Sequence, residues 1–319
     1  MSSLTRSECA EFLRRHDCFV ILTHRRPDGD TIGSAATLCR GLRAMGKTAH
    51  IIENSEITAR YRHLHDGLTK AWPEEGDTLV SVDVASANML PDAFRALEGS
   101  IALRIDHHGT DASFAGFELV DPASASCGEI IYDLLMALGV KLDKAMAEAL
   151  YTAVSTDTGC FRYANTTAHS FRTAAACAEA GGNLYAINQA LFETNSFRKL
   201  KIQSWITEHT EFLADGQIAV CALPKAVEEE IGADEDDLDG ISGFPRSIEG
   251  VKMAATLRQN LNGEVKISVR AVPGYDAARV CREFGGGGHK GAAGATVNMP
   301  LEEAAQAVSR AMQKKGKAQ

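Results

Sequence analysis

Residues 18–46 read CFVILTHRRPDGDTIGSAATLCRGLRAMG. A short β-branched apolar run, 18–23, gives way to a polar loop. Helical apolar spacing follows over 31–45, with Thr31 as the candidate cap and Gly46 as the stop. The run lacks polar alternation, so it reads as a buried strand rather than a half-solvated one. The loop after it holds His24, Asp28 and Asp30. Asp28 and Asp30 are separated only by Gly29 and would repel each other. A solvated turn resolves this in one way and a bound cation in another.

Working outward, further buried strands are predicted at 48–52, 78–84, 101–106 and 117–121, with helical stretches between some of them. Such alternation predicts an α/β fold built on a parallel sheet. From 127 to 213 the spacing is mostly helical. A smaller α/β unit starts near 215, with strands at 217–223, 250–259, 263–272 and 294–297. The expected organisation is an N-terminal domain over 1–190, a helical connector over 191–214 and a C-terminal domain over 215–319.

A chain of 319 residues, 45% hydrophobic and 24% charged, suits a globular protein of about two domains. The net charge of -9 and the absence of a Lys/Arg stripe exclude tight binding to long nucleic acid. A short anionic substrate stays open, since a few local cations can hold it. Eight scattered cysteines without a C-x-x-C pair point to reduced thiols and a cytoplasmic protein. The charged N-terminus does not read as a signal peptide, and no apolar run nears the ~18 residues that span a bilayer.

Four groups of candidate ligands fall where elements end: His24 with Asp28 and Asp30; Asp83; Asp106-His107-His108; and Asp157, at the end of a helix. Each alone has an ordinary reading as a turn residue, a cap or a packed histidine. Three of the four follow strands, and in an open α/β sheet ligands bind beyond the carboxyl ends of the strands. A charged Asp83 behind an apolar run is costly to bury unless paired or metal-bound. Carboxylates mixed with imidazoles suit Mn²⁺, with Mg²⁺, Fe²⁺ or Co²⁺ as alternatives. The donor set is too large for one ion, so a two-metal site is expected, with Asp83 as the bridging carboxylate. In that reading Asp28 and Asp30 serve different ions, and Gly29 supplies the turn between them.

In the C-terminal part, the run Gly285, Gly286, Gly287, Gly288 precedes His289, and Arg270 ends a predicted strand. Glycine amides can approach an anion closely, and an arginine can grip a phosphate with two bonds. A flexible loop is the plain alternative. Lys290 is followed by Gly291, so the run is not a nucleotide-binding G-x-x-x-x-G-K-[ST] loop. Arg162 and Asn165 either contact substrate or tie down the loop after Asp157. Cys127 and Cys160 read as small fillers.

Taken in order, THRRPDGD, VDVA, DHH and STDTGCFRYANTT resemble the four motifs of the DHH phosphoesterase family. ISVRA with FGGGGHKGAAG resembles its DHH-associated C-terminal domain. The match runs over residues 23–295, and TGCFRYANTT is most similar to the oligoribonuclease/pAp phosphatase (nanoRNase) branch. The resemblance implies one metal on His24, Asp28 and Asp83, and a second on Asp30, Asp83, His107 and Asp157. It implies that Asp106 orients His107, that His108 donates to the substrate phosphate or leaving oxygen, and that relatives pair as homodimers. The implied activity is Mn²⁺-dependent hydrolysis of short oligoribonucleotides or of 3'-phosphoadenosine 5'-phosphate (pAp), bound between the two domains. A cyclic or linear dinucleotide phosphodiesterase is the nearest alternative. An inorganic pyrophosphatase needs a more basic second domain, and a non-catalytic nucleotide-binding protein would have lost ligands that are all present here.

Overall fold

The protein is described from a computed structural model over residues 2–109, 112–260 and 262–317. It divides into two compact units, Met1–Thr194 and Asn195–Gln319.

The first unit is built on strands β1 (Ser2–Ser3), β2 (Phe19–Leu22), β3 (Ala49–Ile52), β4 (Thr69–Lys70), β5 (Thr78–Val82), β6 (Ile101–Asp106) and β7 (Phe117–Val120). They form one sheet in the order β1-β7-β6-β5-β2-β3-β4, and every pairing is parallel. β2 is buried on both faces, which is why its sequence shows no alternation. Phe19 and Ile21 join the larger core, while Val20 and Leu22 face Leu90 and Phe94 on the other side. The chain runs outward through β3 and β4 on one side of β2, and through β6 and β7 on the far side of β5. The reversal of strand order therefore falls between β2 and β5, the position at which a crevice opens beyond the carboxyl ends.

Helices α1 (Arg6–Arg15), α2 (Gly29–Ala44), α3 (Arg62–His65), α4 (Cys127–Ala137), α5 (Lys144–Asp157), α6 (Ala168–Glu179) and α7 (Leu184–Asn188) complete this unit. Helix α2 begins earlier than its spacing predicts. Asp28, not Thr31, is the cap: its Oδ1 accepts from the amides of Asp30 and Thr31. The Thr31 hydroxyl instead donates to the Val82 carbonyl at 3.0 Å, pinning α2 to the end of β5. Gly29 is thus the first helical residue rather than a turn. It is needed for close approach: a Cβ there would lie 2.4 Å from Thr156 Cγ2, and one at Gly33 2.4 Å from the Ala149 carbonyl. Gly33 lets α2 approach the α5 backbone and Gly29 admits the Thr156 side chain, a close packing that sets Asp157 beside Asp30.

The second unit holds α8 (Phe197–His209), β8 (Glu211–Leu213), β9 (Ile218–Leu223), α9 (Lys225–Ile231), β10 (Met253–Gln259), β11 (Val265–Ala271), α10 (Ala277–Arg282), β12 (Gly287–Gly288), β13 (Ala292–Val297) and α11 (Leu301–Lys315). The sheet order is β12-β13-β11-β10-β9-β8; β9 and β10 are parallel and the other pairs antiparallel. One face packs under α10 and α11 through residues such as Ile267, Val269, Val280 and Val308. Helix α8 packs within this unit, where Ile202 and Ile206 join Cys221 and Leu223. Among the described residues no helix is long and apolar enough to cross a membrane.

Candidate metal centre

Three neighbouring strands deliver the first candidate ligands. His24 follows β2, Asp83 follows β5, and Asp106-His107-His108 ends β6. Helix α2 brings Asp28 and Asp30 over the same rim, and the last turn of α5 brings Asp157. All six predicted ligands converge. Donor atoms of His24, Asp28 and Asp83 lie within 4.8 Å of one another, as do those of Asp30, His107 and Asp157. A third set, Asp83 with His107 and His108, meets the same limit.

Asp83 sits between the groups. It is 2% exposed and its backbone is left-handed, φ 57°, a conformation that costs a non-glycine residue about 1 kcal/mol. One oxygen is 3.7 Å from His24 Nε2; the other is 3.4 Å from His107 Nε2 and 3.5 Å from His108 Nδ1. That second oxygen, Oδ1, is buried with no hydrogen-bond partner. A buried carboxylate oxygen left without a donor is expensive, and a cation beside it removes the cost.

The surrounding carboxylates point the same way. Burial, followed by the Asp30 and Asp28 charges, raises Asp83 well above the carboxylate range. Burial also raises Asp30, to about 6, against the pull of His107. Asp157 is raised by burial and by Asp30, and it stands at the carboxyl end of α5, where the helix dipole also disfavours an anion. Asp28 is the exception. Crowding by protein opposes its charge, but His24 and two amides at the α2 N-terminus outweigh that and hold it at about 2.

The two candidate ligand histidines, His24 and His107, are oriented alike. Nδ1 of His24 faces the Arg25 carbonyl at 2.7 Å, and Nδ1 of His107 faces the Ser124 carbonyl at 3.3 Å. With Nδ1–H donated to a carbonyl, Nε2 is the atom turned to the carboxylates. Burial works to lower His24, but Asp28 and Asp83 push it up to about 9 when no cation is there to balance them. The 3.4–3.7 Å spacings between imidazole and carboxylate are too long for good hydrogen bonds and leave room for an ion.

Asp106 corrects one expectation. Its Oδ1 meets Nδ1 of His108 at 2.8 Å, not the ring of His107, whose backbone amide it accepts instead. Its Oδ2 is held by the guanidinium of Arg104, a residue with no exposed surface in the middle of β6. Sequence reading passed over Arg104, although an arginine inside the apolar run IALRID was the available signal. It also passed over the N-terminus of α4, where the amides of Cys127 and Gly128 donate to the two oxygens of Asp30 at 2.7 and 3.0 Å. Cys127 is buried as a filler, yet its amide orients Asp30, a candidate ligand.

The remaining predicted residues are spread between the two units. Arg162 lies on the exposed loop after Asp157 and donates Nε to the Gly159 carbonyl at 2.6 Å. Asn165 ties that loop down through the carbonyls of Ala125 and Asp157. In the second unit Arg270 stands on β11 opposite Ala292 of β13, one strand from the glycine run. The run is no free loop, because Gly287 and Gly288 pair with Gly294 and Ala293. A Cβ at Gly286 would lie 2.1 Å from the Gly294 carbonyl, and Gly288 has φ 135°, so both positions require glycine. The amides of Gly285, Gly286 and His289 are already donated to Arg282, Cys281 and Ala292.

Comparison with known proteins agrees with this arrangement. Residues 18–154 match the DHH family N-terminal domain and residues 215–315 match the DHHA1 domain. The bifunctional oligoribonuclease and PAP phosphatase NrnA of Thermus thermophilus is 35% identical over 298 residues, covering 92% of this chain and 88% of that protein. An exopolyphosphatase-related protein from Bacteroides fragilis superposes with a TM-score of 0.84 at 25% identity, covering 97% of this chain and 95% of its own. RecJ of Thermus thermophilus, crystallised with Mn²⁺, shares the fold at a TM-score of 0.54 and 16% identity, covering 98% of this chain and 55% of its own. With the family motifs in order along both units and the acidic rim assembled from them, the chain belongs to the DHH family of phosphoesterases, in the branch that carries a DHHA1 domain.

Proposed function

We propose that this chain is a manganese-dependent hydrolase of short oligoribonucleotides and of pAp, working with two ions. The observation that carries the metal reading is the buried, unpartnered Asp83 Oδ1 between two groups of ligand atoms. In this reading His24, Asp28 and Asp83 hold one ion, and Asp30, Asp83, His107 and Asp157 hold the other. When bound, such ions lower the pKa of a coordinated water and neutralise charge on an attacked phosphate. The protein's own part is to orient. The Cys127 and Gly128 amides fix Asp30, the Ser124 carbonyl fixes His107, and Asp106 fixes the ring of His108. With Nδ1 on Asp106, His108 turns Nε2 outward as a donor to the phosphate or as general acid to the leaving oxygen. Arg270, Gly287, Gly288 and His289 are assigned to substrate phosphate, with Arg162 as a further cation.

The substrate class is supported by the 35% identical relative, which aligns over both units. Buried, unpaired thiols such as Cys9, Cys39 and Cys177 support a cytoplasmic setting. The deciding assay compares pAp, dinucleotides, five-mers, cyclic dinucleotides and pyrophosphate in Mn²⁺. Turnover concentrated on the short linear oligonucleotides and pAp is expected; preference for cyclic dinucleotides or pyrophosphate overturns the assignment.

Two further results are expected. Adding Mn²⁺ to chelator-treated protein raises the melting temperature by several degrees, since saturation at 100 times Kd is worth about 2.7 kcal/mol. No shift in a calorimetric scan argues against a metal site. Arg270→Ala raises KM roughly 10–100-fold with little change in kcat, the cost of losing charge-assisted bonds to phosphate. Steady-state kinetics in which kcat alone falls would remove Arg270 from the binding role.

A further inference from the structure

We propose that a groove beyond the carboxyl ends of β3 and β4 is a nucleoside subsite for the second residue of a dinucleotide, the one that pAp lacks. This rests on the oligonucleotide reading above. The groove has a volume of about 470 Å³, within the range of small-molecule sites. Because β3 and β4 run parallel to β2, their carboxyl ends share the rim on which His24 stands. Asn54, in the groove wall, joins the two places directly. Its amide donates to the His24 carbonyl at 3.0 Å and to the Thr23 hydroxyl at 3.1 Å.

The lining has the chemistry of a base site. Trp72 is 45% exposed although its indole packs 6.1 Å from the Phe94 ring, so a flat aromatic surface is left uncovered in the groove. Around it stand the Glu53 carboxylate, the Ser55 hydroxyl, Arg62 and His65. The Nδ1 atom of His65 is buried without a hydrogen-bond partner. A nucleobase offers a π-face for the indole together with polar edges for the acceptor and donors. A purely apolar ligand would leave those polar groups unmet. Stacking on an aromatic side chain is worth about 1–3 kcal/mol per base.

A dinucleotide carries a nucleoside on each side of its phosphodiester, whereas pAp carries one. Trp72→Ala is therefore expected to lower kcat/KM for dinucleotides roughly 5–150-fold, the stacking energy converted to a ratio, and to leave pAp within about twofold. Trp72→Phe, which keeps a ring, should restore most of the dinucleotide activity and guards against misfolding as the explanation. An independent reading comes from fluorescence. The chain has two tryptophans, so Trp205→Phe leaves Trp72 as the sole reporter. In that background, with Asp83→Asn added to stop turnover, a dinucleotide should quench the emission and pAp should not. Equal loss on both substrates, or no loss on dinucleotides, overturns the subsite. Should the wild-type chain hydrolyse neither substrate, the functional reading falls and the fluorescence titration alone decides the groove.

Discussion

Asp83→Asn lowers turnover by roughly a thousandfold or more, about 4 kcal/mol of barrier, while the metal-free protein keeps or gains thermal stability. The two halves of this expectation have one cause. Among the described residues, Asp83 is the only carboxylate whose oxygens face His24 on one side and His107 with His108 on the other. In the proposed two-ion reading, replacing one oxygen by an amide nitrogen removes an anionic donor that both groups would share, and a neutral amide is a poor bridge. In the metal-free chain the same carboxylate is a liability. Burial first, and then Asp30 and Asp28, hold its pKa well above the ordinary value. A carboxyl whose pKa is raised on folding opposes folding at pH values above its ordinary pKa, and the penalty shrinks as the pH falls. Near pH 7 the neutral asparagine escapes it. The check is a melting curve in chelator alongside metal content and kcat in Mn²⁺. Near wild-type Mn²⁺-dependent turnover from a well-folded Asp83→Asn would remove Asp83 from the centre. A drop in melting temperature in chelator would instead make its role structural.

The sequence made the strand ends legible because β2, β5 and β6 are buried on both faces and stand out as apolar runs, each closed by a charged residue. It also made Asp157 legible, since a helix that ends on aspartate runs against the dipole preference. What it could not show were contacts between distant segments. Gly29 looks like a turn in a D-G-D loop, but Asp28 turns its carboxylate onto the amides of Asp30 and Thr31 and so starts the helix. Gly29 then serves the approach of Thr156, more than 100 residues away. The orientation of Asp30 depends on amides at 127 and 128, which carry no side-chain signature. The glycine run could be read as a loop because two-residue strand pairing leaves no hydrophobic period to detect. Asp106 was assigned to the wrong imidazole for a related reason. The two rings lie side by side, centroids 4.5 Å apart, and which of them meets Asp106 depends on side-chain geometry that the order of residues does not carry.

Arg104→Met is expected to destabilise the first unit by roughly 3–5 kcal/mol, a fall in melting temperature on the order of 10 °C, and to reduce activity at temperatures where the protein stays folded. The arginine has no exposed surface. Its two terminal nitrogens bind Asp106 and the carbonyls of Ala85 and Ala112, and its guanidinium stacks 5.2 Å from the Phe114 ring. Methionine fills much of that volume but leaves Asp106 as a buried anion, for which the remaining donors among the described residues are the amides of residues 107 and 108 and the His108 ring. Burial works against ionisation of Asp106, and it is His108 together with Arg104 that keeps its pKa below the ordinary value. Arg104→Lys should recover only part of the loss, because a single ammonium cannot reproduce the planar fork that meets three acceptors. The double variant Arg104→Met/Asp106→Asn separates charge from packing. Removing both charges should restore part of the stability, since a neutral pair no longer leaves an uncompensated ion, yet activity should stay low because His108 has lost the anion that orients it. Chemical denaturation of the three variants gives the stabilities and kcat gives the second readout. A single Arg104→Met variant that melts within about 2 °C of the wild type would mean that Asp106 does not depend on Arg104, and that the ring of His108 is positioned by something else.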